Sequence, residues 1–113
     1  NCYPAHYSKA GDIIEPGEAP GLLLGVSADA DYNAVSFKLN PGDVIALYTD
    51  GIFDVVNHKK EIWGEARFLQ ALKQGAHLGS AEEIIEHIMR EITNFKGAEK
   101  QFDDMTLIVI KVL

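Results

Sequence analysis

Apolar and polar positions alternate in several distinct rhythms along this chain. Val35, Phe37 and Leu39 alternate with Ser36 and Lys38, the period of a half-buried strand. Asn40-Pro41-Gly42-Asp43 follows, with Pro and Gly in the order a type II turn requires. Residues 44 to 49 are almost continuously apolar, which predicts a strand covered on both faces. Residues 35 to 49 therefore read as a hairpin with a deeply buried second strand.

The rhythm then changes to that of helices. Ala66, Leu69 and Leu72 share one face of a helix over 65–74, with Gly75 as its stop. Ser80 and Glu83 have the spacing of a capping box that opens a second helix. Its stripe of Ile84, Ile85, Ile88, Met89, Ile92 and Phe95 predicts contact with a sheet, and Gly97 ends it. Residues 105–113, Met-Thr-Leu-Ile-Val-Ile-Lys-Val-Leu, predict a strand central in that sheet. Residues 8 to 34 are rich in Gly, Pro, Asp and Ala and read as loop with short extended pieces. Within them Gly21 to Val26 is an apolar patch, a short strand or a loop on the core. The order strand, strand, two helices, strand predicts an α+β fold, with two antiparallel helices on one face of a mostly antiparallel sheet.

Composition narrows the function classes. Hydrophobic residues make up 47% of the 113, enough for a true core. A formal charge of -7 repels phosphate backbones and anionic lipid, so nucleic acid and membrane surfaces are not expected partners. No apolar run reaches membrane-spanning length and no basic-then-apolar leader opens the chain, so the expected setting is the cytoplasm. The single cysteine, Cys2, has no internal disulfide partner and no evident base beside it.

Two acidic clusters carry the candidate chemistry. Thr49-Asp50-Gly51 ends the buried strand, with Asp54 close behind; Asp103-Asp104 opens the last strand. If those strands are antiparallel neighbours, both clusters meet at one sheet edge. Crowded carboxylates repel each other unless a cation intervenes, and a hard divalent ion such as Mg²⁺ or Mn²⁺ prefers such oxygens. The plainer alternatives are an ordinary Asp-Gly turn and a solvated acidic loop guarding a sticky strand. His6, His58, His77 and His87 lack ligand spacing and read as surface or partly buried structural residues. Tyr48 and Trp63 read as packing residues, and no Gly-rich phosphate loop is present.

Four segments resemble one known family in the correct order. Asp43 to Asp54, a buried strand followed by Asp-Gly, is similar to the Asp-Gly motif of metal-dependent protein serine/threonine phosphatases. Asp103-Asp104-Met105-Thr106 resembles that family's final motif. Ile62-Trp63-Gly64-Glu65-Ala66-Arg67-Phe68 is similar to the aromatic-Gly-x-x-Arg-Leu stretch of its branch typified by stage II sporulation protein E. Pro20 to Val26 resembles that branch's Pro-Leu-Gly segment.

The resemblance implies an α/β/β/α sandwich with a dinuclear Mn²⁺ or Mg²⁺ site. It implies hydrolysis of phosphoserine or phosphothreonine by a metal-activated water, in bacterial signalling. The implied phosphoprotein substrate is an anti-sigma factor antagonist. Asp50 and Asp103 would ligate one metal. Asp54 and Asp104 would stand just outside it, and Gly51 would permit a tight turn beneath. The family's other ligands lie in an earlier Asp-x-x-Gly-His-Gly type motif that this sequence does not contain. Residues 1–113 are thus expected to be the C-terminal portion of a single phosphatase domain, inactive by itself and self-associating as a dimer through an exposed sheet face. The alternative is a phosphatase-like binding module without catalysis.

Overall fold

A computed structural model of the chain describes residues 3–16, 27–29, 31, 34, 36–100 and 103–113, with only the backbone at 15 and 16. The Gly21 to Val26 patch, the Pro20 to Val26 segment, Cys2 and Val35 lie outside the described residues. Among the described residues, four strands form one sheet: β1 (Ala5–Ser8), β2 (Ile13–Pro16), β3 (Val44–Tyr48) and β4 (Leu107–Lys111). Their spatial order is β2-β1-β3-β4, and every pairing is antiparallel. A single 3₁₀ turn (Asp50–Ile52) and two helices, α1 (Gly64–Gly75) and α2 (Ala81–Lys96), lie between β3 and β4. The α+β class and the helix pair on one face of an antiparallel sheet agree with the pattern of the sequence.

The sheet has a closed face and an open one. Register places Ala5, Tyr7, Val44, Ala46 and Val109 on one side, where all are buried against the helices. Phe68, Leu72, Ile84, Ile88 and Ile92 fill the space between and are also buried. Each such side chain contributes about 1.5–3 kcal/mol through removal from water. The opposite side carries Ile45, Leu47, Ile108 and Ile110. Ile45 is buried, but Leu47, Ile108 and Ile110 remain 37%, 50% and 47% exposed. The expectation that residues 44–49 are covered on both faces is therefore corrected: helices cover one face only.

Three further expectations change. Residues 36–39 form no strand, and Phe37 and Leu39 are exposed. Phe37 leaves the alternation to stack on His6, ring centres 4.9 Å apart. The partner of β3 is instead β1, a four-residue strand too short to announce itself by periodicity. Among the described residues the last strand lies at the edge of the sheet, not in its centre. Its continuous apolar run reflects an open face rather than neighbours on both sides. The α1 face is also rotated. Phe68, Ala71 and Leu72 are buried, Leu69 is half-buried and Ala66 is exposed. As expected, α1 ends at Gly75, although Gly75 does not adopt a left-handed conformation. It lies within the helix facing α2, where an added Cβ would stand 3.0 Å from His87 Cδ2.

The local signals at turns and caps hold. Asp43 N–H donates to Asn40 O at 2.9 Å, and Gly42 has φ +91°, as a type II turn demands at that position. Gly42 and Asp43 both face Val112, forming a bulge where β3 begins (Gly42 N–H to Val112 O and Val112 N–H to Asp43 O, each 2.9 Å). Ser80 Oγ accepts from Glu83 N–H at 3.1 Å. Glu83 Oε2 accepts from Gly79 N–H rather than from Ser80, so the reciprocal arm of the box is shifted by one residue. Among the described residues, no helix is long and apolar enough to cross a membrane.

Candidate metal centre

The pairing of β3 with β4 brings the two acidic clusters to one sheet edge. Their register, Tyr48 opposite Leu107, makes Thr49 and Thr106 the next residues in line. Thr49 N–H donates to Thr106 O at 3.1 Å, and Thr106 N–H donates to Thr49 Oγ1 at 3.0 Å. One step further, the 3₁₀ turn of Asp50 lies directly against the Asp103-Asp104 loop. A Cβ built on Gly51 would stand 2.0 Å from Asp104 O and 3.6 Å from Asp103 Cβ. Gly51 is buried and does not have a positive φ. Its smallness is needed for this close approach between two backbones, rather than for a left-handed turn.

The acids occupy distinct positions. Asp50, Asp103 and Asp104 are exposed on the two adjoining loops. Asp103 Oδ1 accepts from Asp104 N–H at 2.8 Å, which limits the rotation of that carboxylate. Asp104 thus acts on Asp103 through its amide, and on Gly51 through its carbonyl. Asp54 is exposed just beyond the 3₁₀ turn. Among the described residues, no group of three or more His, Cys, Asp or Glu side chains is close enough to hold a metal ion. In kind, the exposed carboxylates suit a hard divalent cation that keeps some of its water. In number, they fall short of a complete ligand set.

A fifth aspartate, absent from the candidates read in the sequence, is buried. Asp43 accepts from Asn40 N–H at 3.0 Å, Lys9 N–H at 3.1 Å and His6 Nε2 at 3.0 Å. These bonds, the Asn40 amide first, hold its carboxyl below the usual carboxylate range despite burial. Asp43 fastens the β1–β2 turn to the start of β3, and it supplies no oxygen to the acidic edge. His6 has the structural role expected of it. The turn sequence Asn-Pro-Gly-Asp was the only available signal, and it reads simply as a turn.

The loop leaving the 3₁₀ turn is also tied down. Gly64 N–H donates to Phe53 O at 3.1 Å, Trp63 N–H donates to Val55 O at 2.8 Å, and Val56 bridges Ile62. Arg67 reaches back from α1 to donate to Ile62 O at 2.6 Å and Trp63 O at 3.3 Å. Its guanidinium carbon lies 4.6 Å from the centre of the Phe95 ring. These contacts give the Trp63-Gly64-x-x-Arg67 stretch a physical meaning: it fastens the Asp50 loop to both helices. Trp63 is buried beside Phe68, and Tyr48 packs on Phe68 with ring centres 4.5 Å apart, so both are packing residues.

An antiparallel sheet with a helix pair on one face, and acid-bearing loops joined at its edge, is an arrangement of the PP2C phosphatase type. The chain belongs to the stage II sporulation protein E (SpoIIE) family, whose model matches residues 1–113. It is 31% identical over 106 residues to the phosphoserine phosphatase RsbU of Bacillus subtilis, covering 94% of this chain and 31% of that protein. The fold matches the SiaA-PP2C domain of Pseudomonas aeruginosa with a TM-score of 0.72 and 22% identity, over 97% of this chain and 43% of that one. It also matches the PP2C phosphatase domain of SpoIIE from Bacillus subtilis with a TM-score of 0.68 and 26% identity, over 98% of this chain and 32% of that one. The chain therefore spans less than half the length of each of these relatives.

Proposed function

We propose that this chain is the C-terminal portion of a metal-dependent protein phosphatase domain. The complete domain hydrolyses phosphoserine or phosphothreonine in a bacterial signalling protein, with an anti-sigma factor antagonist as substrate. One observation carries the reading: the close approach of Gly51 to Asp104, which brings the Asp50 and Asp103 loops together at one sheet edge. Likeness to a phosphoserine phosphatase over 94% of the chain supports the same reaction class.

In this reading Asp50 and Asp103 hold one of two Mn²⁺ or Mg²⁺ ions, and the rest of the domain supplies the remaining ligands. When bound, such a cation acidifies water and polarises a phosphoryl oxygen. Asp103 is oriented by the Asp104 amide. Gly51 keeps the two loops in register, and Asp54 lies outside the ligand shell. The open sheet face of Leu47, Ile108 and Ile110 receives the second sheet of the sandwich. Without that sheet, the isolated chain is inactive and associates through this face.

The test uses the full-length protein and a phosphoserine substrate. Manganese-dependent phosphate release that is lost in Asp50→Asn supports the phosphatase. Equal release by wild type and Asp50→Asn would remove Asp50 from the site. Absence of release from both, over several phosphoproteins, would favour the binding module.

A further inference from the structure

We infer that Thr49 is a positioning residue for the metal-binding acids, because its hydroxyl replaces its own peptide oxygen in the last rung of the β3–β4 ladder. In an antiparallel ladder, opposed residues alternate between pairs that exchange two backbone hydrogen bonds and pairs that exchange none. Thr49 and Thr106 stand at an exchanging position. One bond is regular, from Thr49 N–H to Thr106 O at 3.1 Å. The other is not, since Thr106 N–H donates at 3.0 Å to Thr49 Oγ1 instead of to Thr49 O.

The displaced carbonyl has a use. Thr49 O accepts from Ile52 N–H at 3.2 Å, the bond that closes the 3₁₀ turn of Asp50–Ile52. One residue thus keeps its strand partner while its carbonyl starts the turn that carries Asp50. Without an acceptor in the side chain, the carbonyl, which is turned towards Ile52 N–H while Thr106 N–H meets the hydroxyl, either swings back to the ladder or stays with the turn. The first choice loosens the Asp50 turn; the second leaves Thr106 N–H without its partner and loosens the chain leaving Asp103-Asp104. Either changes the relative placement of Asp50 and Asp103. Val and Ala at this position lack the acceptor, whereas Ser retains it.

The inference rests on the reading that Asp50 and Asp103 hold a metal, and the experiment separates the two. Manganese affinity is measured calorimetrically on the full-length protein for wild type, Thr49→Val, Thr49→Ser and Asp50→Asn. Thermal melting and amide exchange at Thr106 and Ile52 are followed in the same proteins. Thr49 is exposed, so Val leaves the core untouched, and Thr49→Ala provides a second variant should Val fail to fold. The expected result is manganese affinity weakened about tenfold or more in Thr49→Val, as for other loss of ligand support. Melting changes little, exchange is faster at Thr106 or Ile52, and Thr49→Ser restores both affinity and exchange. Wild-type affinity in Thr49→Val, or equal weakening in Thr49→Ser, overturns the positioning role and leaves the metal reading standing. Wild-type affinity in Asp50→Asn overturns the metal reading and the positioning role with it.

Discussion

Gly51 and Asp104 meet backbone to backbone: a methyl group on Gly51 would stand 2.0 Å from the Asp104 carbonyl oxygen. Neither backbone can yield easily, because the Thr49–Thr106 bonds anchor both loops two residues away. Gly51→Ala is expected to cost about 1–3 kcal/mol, as overpacking does. It should also separate the two acid-bearing loops. Chemical denaturation and manganese titration of the full-length protein check both effects. A variant with wild-type stability and affinity would show that the loops adjust freely.

Asp50→Asn and Asp103→Asn should each abolish manganese-dependent phosphate release while leaving folding intact, since both side chains are exposed. Asp104→Asn should be far milder, because Asp104 engages its neighbours through its amide and carbonyl. Phosphate-release rates across the three variants decide the matter. Equal losses in all three would mean that the Asp104 carboxylate has a direct role.

Buried Asp43 makes stability depend on acidity. Its folded pKa is lowered, chiefly by the Asn40 amide and then by His6. A depressed carboxyl contributes stability above its unfolded pKa of about 3.9, and that contribution disappears as pH falls through the folded value. Asp43→Asn should therefore destabilise by about 2 kcal/mol or more near neutral pH, through loss of charge-assisted bonds. The gap between wild type and variant should shrink as pH falls below about 4. Denaturant melts at several pH values measure it, and a gap that widens with acid would contradict this account.

The open sheet face predicts how the isolated 113-residue chain behaves. Leu47, Ile108 and Ile110 form an apolar strip on adjacent strands, with β4 at the sheet edge. The isolated chain should dimerise in sedimentation experiments, and Ile108→Lys should shift it towards monomer. A wild-type chain that remains monomeric at high concentration would show that this strip does not drive association. By contrast, Ile88→Ala acts on the closed face and should cost about 2–5 kcal/mol.

The amino-acid sequence by itself determined the elements whose signals are local. The Ser80 cap, the Pro41-Gly42 turn, the Ile84–Ile88–Ile92 stripe and the apolar runs of β3 and β4 depend on residues within a few positions of each other. It also set the two acidic clusters at strand ends, which places them together once those strands pair. Tertiary structure decided what depends on distant partners. Four-residue β1 gains its place by pairing with β2 and with distant β3, and Phe37 and Leu39 lose their strand to it. The face of α1 that turns inward was decided by packing on α2 and the sheet, which buries Phe68 and Ala71 and leaves Ala66 in water. Long apolar runs could not reveal which sheet face stays open, because a run looks the same whatever covers it. Nor could spacing disclose that Asp43 is a buried anchor, that Gly51 is needed for Asp104, or that the Thr49 hydroxyl substitutes for a peptide oxygen. Each of those roles depends on a contact between residues far apart in the chain.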